Sequence, residues 1–140
     1  MADSTYELMP SSGFTVTHFL VAADVAKAAD FYSRILGGTV VMGGKEGEPT
    51  VVQLANTWII INVGGGPTDD KPNVYLGPPR EGEPVSSFMN IRVADIAECY
   101  QNWKGLGAEF LTEPKVHEAE TRCYMRDPDG HLIEVGEAKR

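Results

Sequence analysis

A faint internal repeat with a period near 70 residues constrains this chain more than any other feature, because it asks one small unit to be built twice. From Phe14 to Ala23 an apolar run of strand character leads to Asp24. Val25, Ala28, Ala29, Tyr32 and Ile35 then recur at helical spacing up to Gly37 and Gly38. From Val85 to Ala94 a second run leads to Asp95, and Ile96, Cys99, Tyr100, Trp103 and Leu106 recur likewise up to Gly107. The two aspartates stand 71 residues apart and Gly37 and Gly107 stand 70 apart. Each aspartate is placed to accept from an orphan amide of a first helical turn, and Asp95 with Glu98 makes a capping-box pattern.

Three short β-like runs follow each helix. They are Thr39 to Met42, Thr50 to Leu54 and Trp58 to Val63 in the first unit, then Glu109 to Leu111, Thr121 to Arg126 and His131 to Val135 in the second. Each unit therefore reads as βαβββ. Asp127-Pro128-Asp129-Gly130 has the residues of a type I turn and predicts a hairpin between the last two runs. Gly64 to Pro84, rich in Gly, Pro and charge, reads as a linker whose apolar island Val74 to Leu76 would make an extra edge strand. The expected organisation is a single α+β domain over residues 1–140, with unit one at 14–63, the linker at 64–84 and unit two at 85–135. One helix covers only one face of a four-stranded sheet, so the open faces must turn toward something. Two curved mixed sheets related by a pseudo-twofold would enclose a cavity, and the chemistry is expected there.

Twelve Lys and Arg against twenty Asp and Glu give a net charge of −8. That charge repels phosphate backbones and anionic lipid headgroups, which argues against nucleic acid and membrane as partners. No apolar run approaches the roughly 20 residues of a membrane span, and Met1 to Gly13 lacks the regions of a signal peptide. A soluble cytoplasmic protein is the expectation, in which Cys99 and Cys123 stay reduced, buried and without chemistry.

Four segments carry a family likeness: Thr17-His18-Phe19-Leu20-Val21-Ala22-Ala23-Asp24, Phe31-Tyr32 before Leu36-Gly37, Gly107-Ala108-Glu109-Phe110, and the stretch from Tyr124 through Asp127-Pro128-Asp129-Gly130 to Glu134-Val135. With them the chain resembles the vicinal oxygen chelate superfamily, which groups glyoxalase I, the bleomycin resistance proteins, fosfomycin-inactivating enzymes and extradiol dioxygenases. The resemblance implies a divalent ion such as Mn, Fe, Ni or Zn, held by a His near the start of a first strand and a Glu near the end of a last strand. His18 and Glu134 match those positions. Aligning Ile61-Asn62-Val63 with Ile133-Glu134-Val135 puts Asn62 where the first unit would carry its acid, and counting seven back from Asp95 puts Phe88 where the second would carry its His. The set His18, Asn62, Phe88 and Glu134 is thus incomplete, with two good ligands of four. A dioxygenase is disfavoured because its iron needs two His and a carboxylate. A lyase or isomerase would ask Glu134, the catalytic candidate, to act as both ligand and base.

Alternation refines the candidates. Phe88, Asn90 and Arg92 alternate with Met89, Ile91 and Val93, so the first trio should face the cavity and the second the helix. The same count back from Asp24 sends Thr17, Phe19 and Val21 to the cavity and His18 to the helix side unless a bulge shifts the register, which leaves His18 open between ligand and core residue. Arg122 and Tyr124 share a face and would orient a polar ligand or pair across strands. Trp58 and Ile60, on the Asn62 face, would form an apolar ligand wall or simple core. Glu134, an acid in an apolar strand, needs a partner or a metal if buried. His117 is either a solvated loop residue or a third ligand, and His131 reads as turn-end surface. Gly64-Gly65-Gly66 precedes no helix pattern and so makes no phosphate loop. Two functional readings follow: a metal-dependent lyase or isomerase acting on a vicinal-oxygen substrate, or a metal-free protein that sequesters a drug or metabolite, for which the charge suits a cationic ligand. The resemblance also implies a homodimer.

Overall fold

The computed structural model describes residues 6–140, which fall into two compact units, one running to Pro78 and the other spanning Pro79–Arg140. The first contains β1 (His18–Val21), α1 (Val25–Asp30) continued by a π-helical segment (Phe31–Ile35), β2 (Thr39–Met42), β3 (Thr50–Leu54) and β4 (Thr57–Asn62). Its strand order is β1-β4-β3-β2, with β1 parallel to β4 and the other pairs antiparallel. Asp24 starts the helix as expected, its carboxylate accepting from the Lys27 N–H at 3.2 Å. The wider turn that follows was not legible in the apolar spacing; there the Leu36 N–H reaches back to the Phe31 carbonyl at 3.1 Å. Gly37 then ends the helix at φ +88°, a conformation that glycine adopts without steric cost. Leu20, Val52, Ile59 and Ile61 from the sheet are buried with Ala28, Phe31 and Tyr32 from the helix, which packs on β3 and β4.

The second unit contains β5 (Met89–Arg92), α2 (Ile96–Gly105), β6 (Glu109–Phe110), β7 (Lys115–Val116), β8 (Glu120–Arg126) and β9 (Leu132–Ala138). Strand order is β5-β9-β8-β6, with β7 also paired to β8 and β5 parallel to β9. Asp95 accepts from the Glu98 N–H at 3.1 Å, and the Ile96 N–H donates to the Glu137 carboxylate of β9 at 2.8 Å. That second bond ties the start of α2 to the sheet. Between β8 and β9 the Gly130 N–H bonds the Asp127 carbonyl at 3.0 Å, while Asp127 Oδ1 accepts from the Asp129 and His131 N–H groups, both at 2.9 Å. The hairpin read from the sequence is therefore built by one buried aspartate. Cys123, Met125, Ile133 and Val135 form the core under α2 together with Ile96.

Four sequence expectations need correction. Val74 to Leu76 makes no edge strand; Leu76 exchanges two backbone bonds with Gly65 as an isolated bridge. The first strand of each unit pairs over four residues rather than ten. The last strand runs on to Ala138, which brings Gly136 inside the sheet.

The fourth correction concerns the repeat itself. Both units share one connectivity, but β1 pairs Phe19 with Ile60, whereas β5 pairs Asn90 with Glu134. Phe19 and Asn90 stand equally far from their helix caps, so the counterpart of Glu134 is Ile60 and that of Asn62 is Gly136. Likewise the counterpart of His18 is Met89, and Phe88 answers to Thr17. The second unit carries three more residues between cap and last strand, so the offset grows from 71 to 74 along the unit.

Candidate functional site

Strand β9 lies between β5 and β8, and the register sets Asn90, Glu134 and Tyr124 side by side in one row across the three strands. Ile133 and Val135 alternate with Glu134 and are buried on the helix side, so the row lies on the face away from α2. There the Asn90 amide Nδ2 donates to Glu134 Oε1, and the Tyr124 hydroxyl donates to Oε2 at 2.5 Å. Glu134 is only 9% exposed, and these two donors compensate its carboxylate for lost water. Phe88 shares the face; it is exposed, and its ring meets that of Tyr124 at an angle of 72° with centroids 6.1 Å apart. The bond to Glu134 raises the pKa of the Tyr124 phenol, with burial and the negative charge of Glu134 acting the same way.

One step along the strands lies a second row of Arg92, Gly136 and Arg122. Arg92 pairs with the Glu120 carboxylate at 2.7 Å, and Arg122 Nη1 reaches its other oxygen at 3.3 Å. To do so the Arg92 guanidinium crosses β9 over Gly136, where a Cβ would collide with it. The hydrogen bond from Arg92 lowers the Glu120 pKa against the opposing effect of burial, and Arg122 adds to the lowering.

The expected residues are thus divided between the units. Phe88, Asn90, Arg92, Arg122, Tyr124 and Glu134 share one face of the second sheet. In the first unit His18 pairs with Ile59 and shares the face of buried Leu20, the helix-covered side that the alternation count gave. Trp58, which is buried, lies with Ile60 and Asn62 on the opposite face. Asn62 Oδ1 accepts from the Val63 N–H at 2.9 Å. The His117 N–H closes the β7–β8 turn on the Glu120 carbonyl at 2.8 Å. Glu120 and Gly136 were missed in the sequence. The first lies on the Arg122 and Tyr124 face by simple alternation, and the second lies just past the apolar run that closes at Val135.

The donor set does not fit a resident divalent ion. Phe88 has no donor atom, the amide oxygen of Asn62 accepts from the Val63 N–H, and His18 starts from the helix-covered face, which leaves Glu134, held by Asn90 and Tyr124, as the one ligand of the four on its face. Among the described residues no three His, Cys, Asp or Glu side chains converge.

Against known proteins, the family model described as Glyoxalase/Bleomycin resistance protein/Dioxygenase superfamily matches residues 15–135. No curated protein matches the sequence. Among solved structures, a lactoylglutathione lyase from Agrobacterium tumefaciens is similar at 19% identity and a TM-score of 0.67, over 91% of this chain and 94% of that one. TnmS3, an antibiotic binding protein from a Streptomyces species, is similar at 18% identity and 0.64, over 94% and 100%. A superfamily member from Sphaerobacter thermophilus is similar at 21% identity and 0.64, over 89% and 98%. At such identities the likeness is one of fold, which hosts more than one activity.

Proposed function

The chain belongs to the Glyoxalase/Bleomycin resistance protein/Dioxygenase superfamily, and from that premise we propose that it captures a small organic molecule on the open face of its second sheet, without a resident metal ion. The observation that carries this reading is the row Asn90–Glu134–Tyr124, in which a shielded carboxylate is oriented by two organic donors. Each carboxylate oxygen retains a lone pair for a hydroxyl, amide or ammonium of the ligand, and exposed Phe88 beside Tyr124 supplies apolar surface next to it. A lyase or isomerase would require Glu134 to serve as ligand and base at once. The likeness to an antibiotic binding protein agrees with capture, although a likeness of fold does not carry the activity across.

We also propose a cytoplasmic location, which the free thiols at Cys99 and Cys123 support. A homodimer is proposed as well. β2 is an edge strand whose Val40, Val41 and Met42 are between 43% and 48% exposed, and association would cover them. Light scattering should give twice the chain mass of 15.2 kDa; the single-chain mass at high concentration contradicts the dimer.

Capture is tested by thermal-shift screening of a small-molecule library in EDTA, followed by titration of the hits into Glu134→Gln and Tyr124→Phe. Hits that bind in EDTA and lose at least about tenfold in affinity on Glu134→Gln support it. Hits that need added metal, or that ignore both substitutions, overturn it.

A further inference from the structure

The row next to Glu134 carries an imbalance that the capture reading leaves unused. Arg92 and Arg122 converge on a single carboxylate, Glu120, so this row sets two guanidinium groups against one carboxylate in a chain of net charge −8. Their side chains are 47% and 34% exposed, and a guanidinium has more N–H donors than one carboxylate contact occupies. The approach is also built at a cost. Glycine inside a strand weakens it, and here Gly136 leaves the space in which the Arg92 guanidinium lies and a Cβ would overlap it. Its backbone φ is not in the left-handed region, so space and not backbone conformation is what glycine supplies. The two arginines stand on strands separated by β9, and it is over Gly136 that the Arg92 guanidinium reaches the anion it shares with Arg122.

We propose that Arg92 and Arg122 form the subsite for an oxyanion of the captured molecule, with Glu120 as its internal stand-in when no ligand is bound. The proposal rests on capture at Glu134 and deepens it by naming the ligand class. That class is a small molecule bearing a carboxylate or phosphate-type group at one end and a hydrogen-bond donor or ammonium at the other. Successive same-face positions on a strand lie about 7 Å apart, which sets the spacing between the two groups. Arg forks recognise such planar or tetrahedral oxyanions through paired N–H donors.

The test is an NMR titration of the arginine Nε–H signals of the whole chain with inorganic phosphate, against chloride at matched ionic strength. Arg34, an exposed residue ion-paired to Asp30 at 3.0 Å, is the internal control. Arg92 and Arg122 should shift together and saturably with phosphate, Arg34 should not follow, and Arg122→Gln should abolish the response at Arg92. Glu120→Gln, which removes the stand-in, should tighten phosphate by roughly threefold or more. Equal shifts at Arg34, or weaker binding in Glu120→Gln, overturn the subsite. Library hits that depend on Glu134 but bind equally well to Arg122→Gln overturn this subsite and leave capture standing, whereas phosphate binding in a chain with no Glu134-dependent hit overturns capture and leaves the oxyanion site standing.

Discussion

Tyr124 and Glu134 are direct cross-strand partners on β8 and β9, and the phenol of the first donates to the carboxylate of the second at 2.5 Å. The bond stabilises the protonated phenol, so Tyr124 should lose its proton above the usual value of about 10. A group whose folded pKa is raised contributes stability that is complete below its unfolded value and is lost as pH rises through the folded one. The contribution of Tyr124 is therefore intact at neutral pH and disappears only in strong alkali. Assigned ring-carbon NMR through an alkaline titration should show Tyr124 titrating late, moved down by Glu134→Gln; no change at Tyr124 in that variant contradicts the bond.

The ion pairs at Glu120 carry the opposite sign. Its folded pKa is lowered, chiefly by the hydrogen bond from Arg92, so the stabilisation exists above the unfolded value of about 4.3 and is lost as pH falls through the folded one. Urea unfolding should show Glu120→Gln less stable than the parent at pH 6, with the gap closing toward pH 3. A gap that persists at pH 3 means that the carboxylate charge is not what stabilises. Gly136→Ala should reproduce the pH 6 loss by pushing Arg92 off its partner.

Asp127→Ala should cost about 1–3 kcal/mol, since it strands two amides that the buried carboxylate satisfies. The same turn fixes the register that sets Tyr124 opposite Glu134, so the late tyrosine titration should broaden or move in this variant. A denaturation midpoint within error of the parent contradicts the assignment.

How far the sequence was legible follows from how local each signal was. Asp24, Asp95 and Asp127 announced two helix starts and a hairpin because each acts on amides within a few residues. The faces of β5 and β8 followed from alternation, which is also local. The counterpart of Glu134 did not, because matching Asn62 to it assumed a constant offset, and residues inserted before the last strand moved the equivalence to Ile60. Glu120 and Gly136 were invisible for a related reason: their meaning lies in Arg92, which is close only across strands. The π-helical segment left no trace because its apolar positions also fit ordinary helical spacing.

Burial raises the Cys123 thiol to about 11, so at pH 8 only about one molecule in a thousand carries the thiolate. Iodoacetamide should label native Cys123 far more slowly than unfolded protein at the same pH. Equal rates mean that the thiol is open to solvent and that the core between α2 and β8 is not as described.

Glu134 is proposed here as a binding carboxylate held by Asn90 and Tyr124 rather than as a metal ligand. Calorimetric titration of chelator-stripped protein with Mn, Ni and Zn, on the parent chain and on Glu134→Gln, tests it most directly. No stoichiometric heat is expected in either protein. Tight one-to-one binding in the parent that is lost in Glu134→Gln would contradict it and restore the metal-dependent reading.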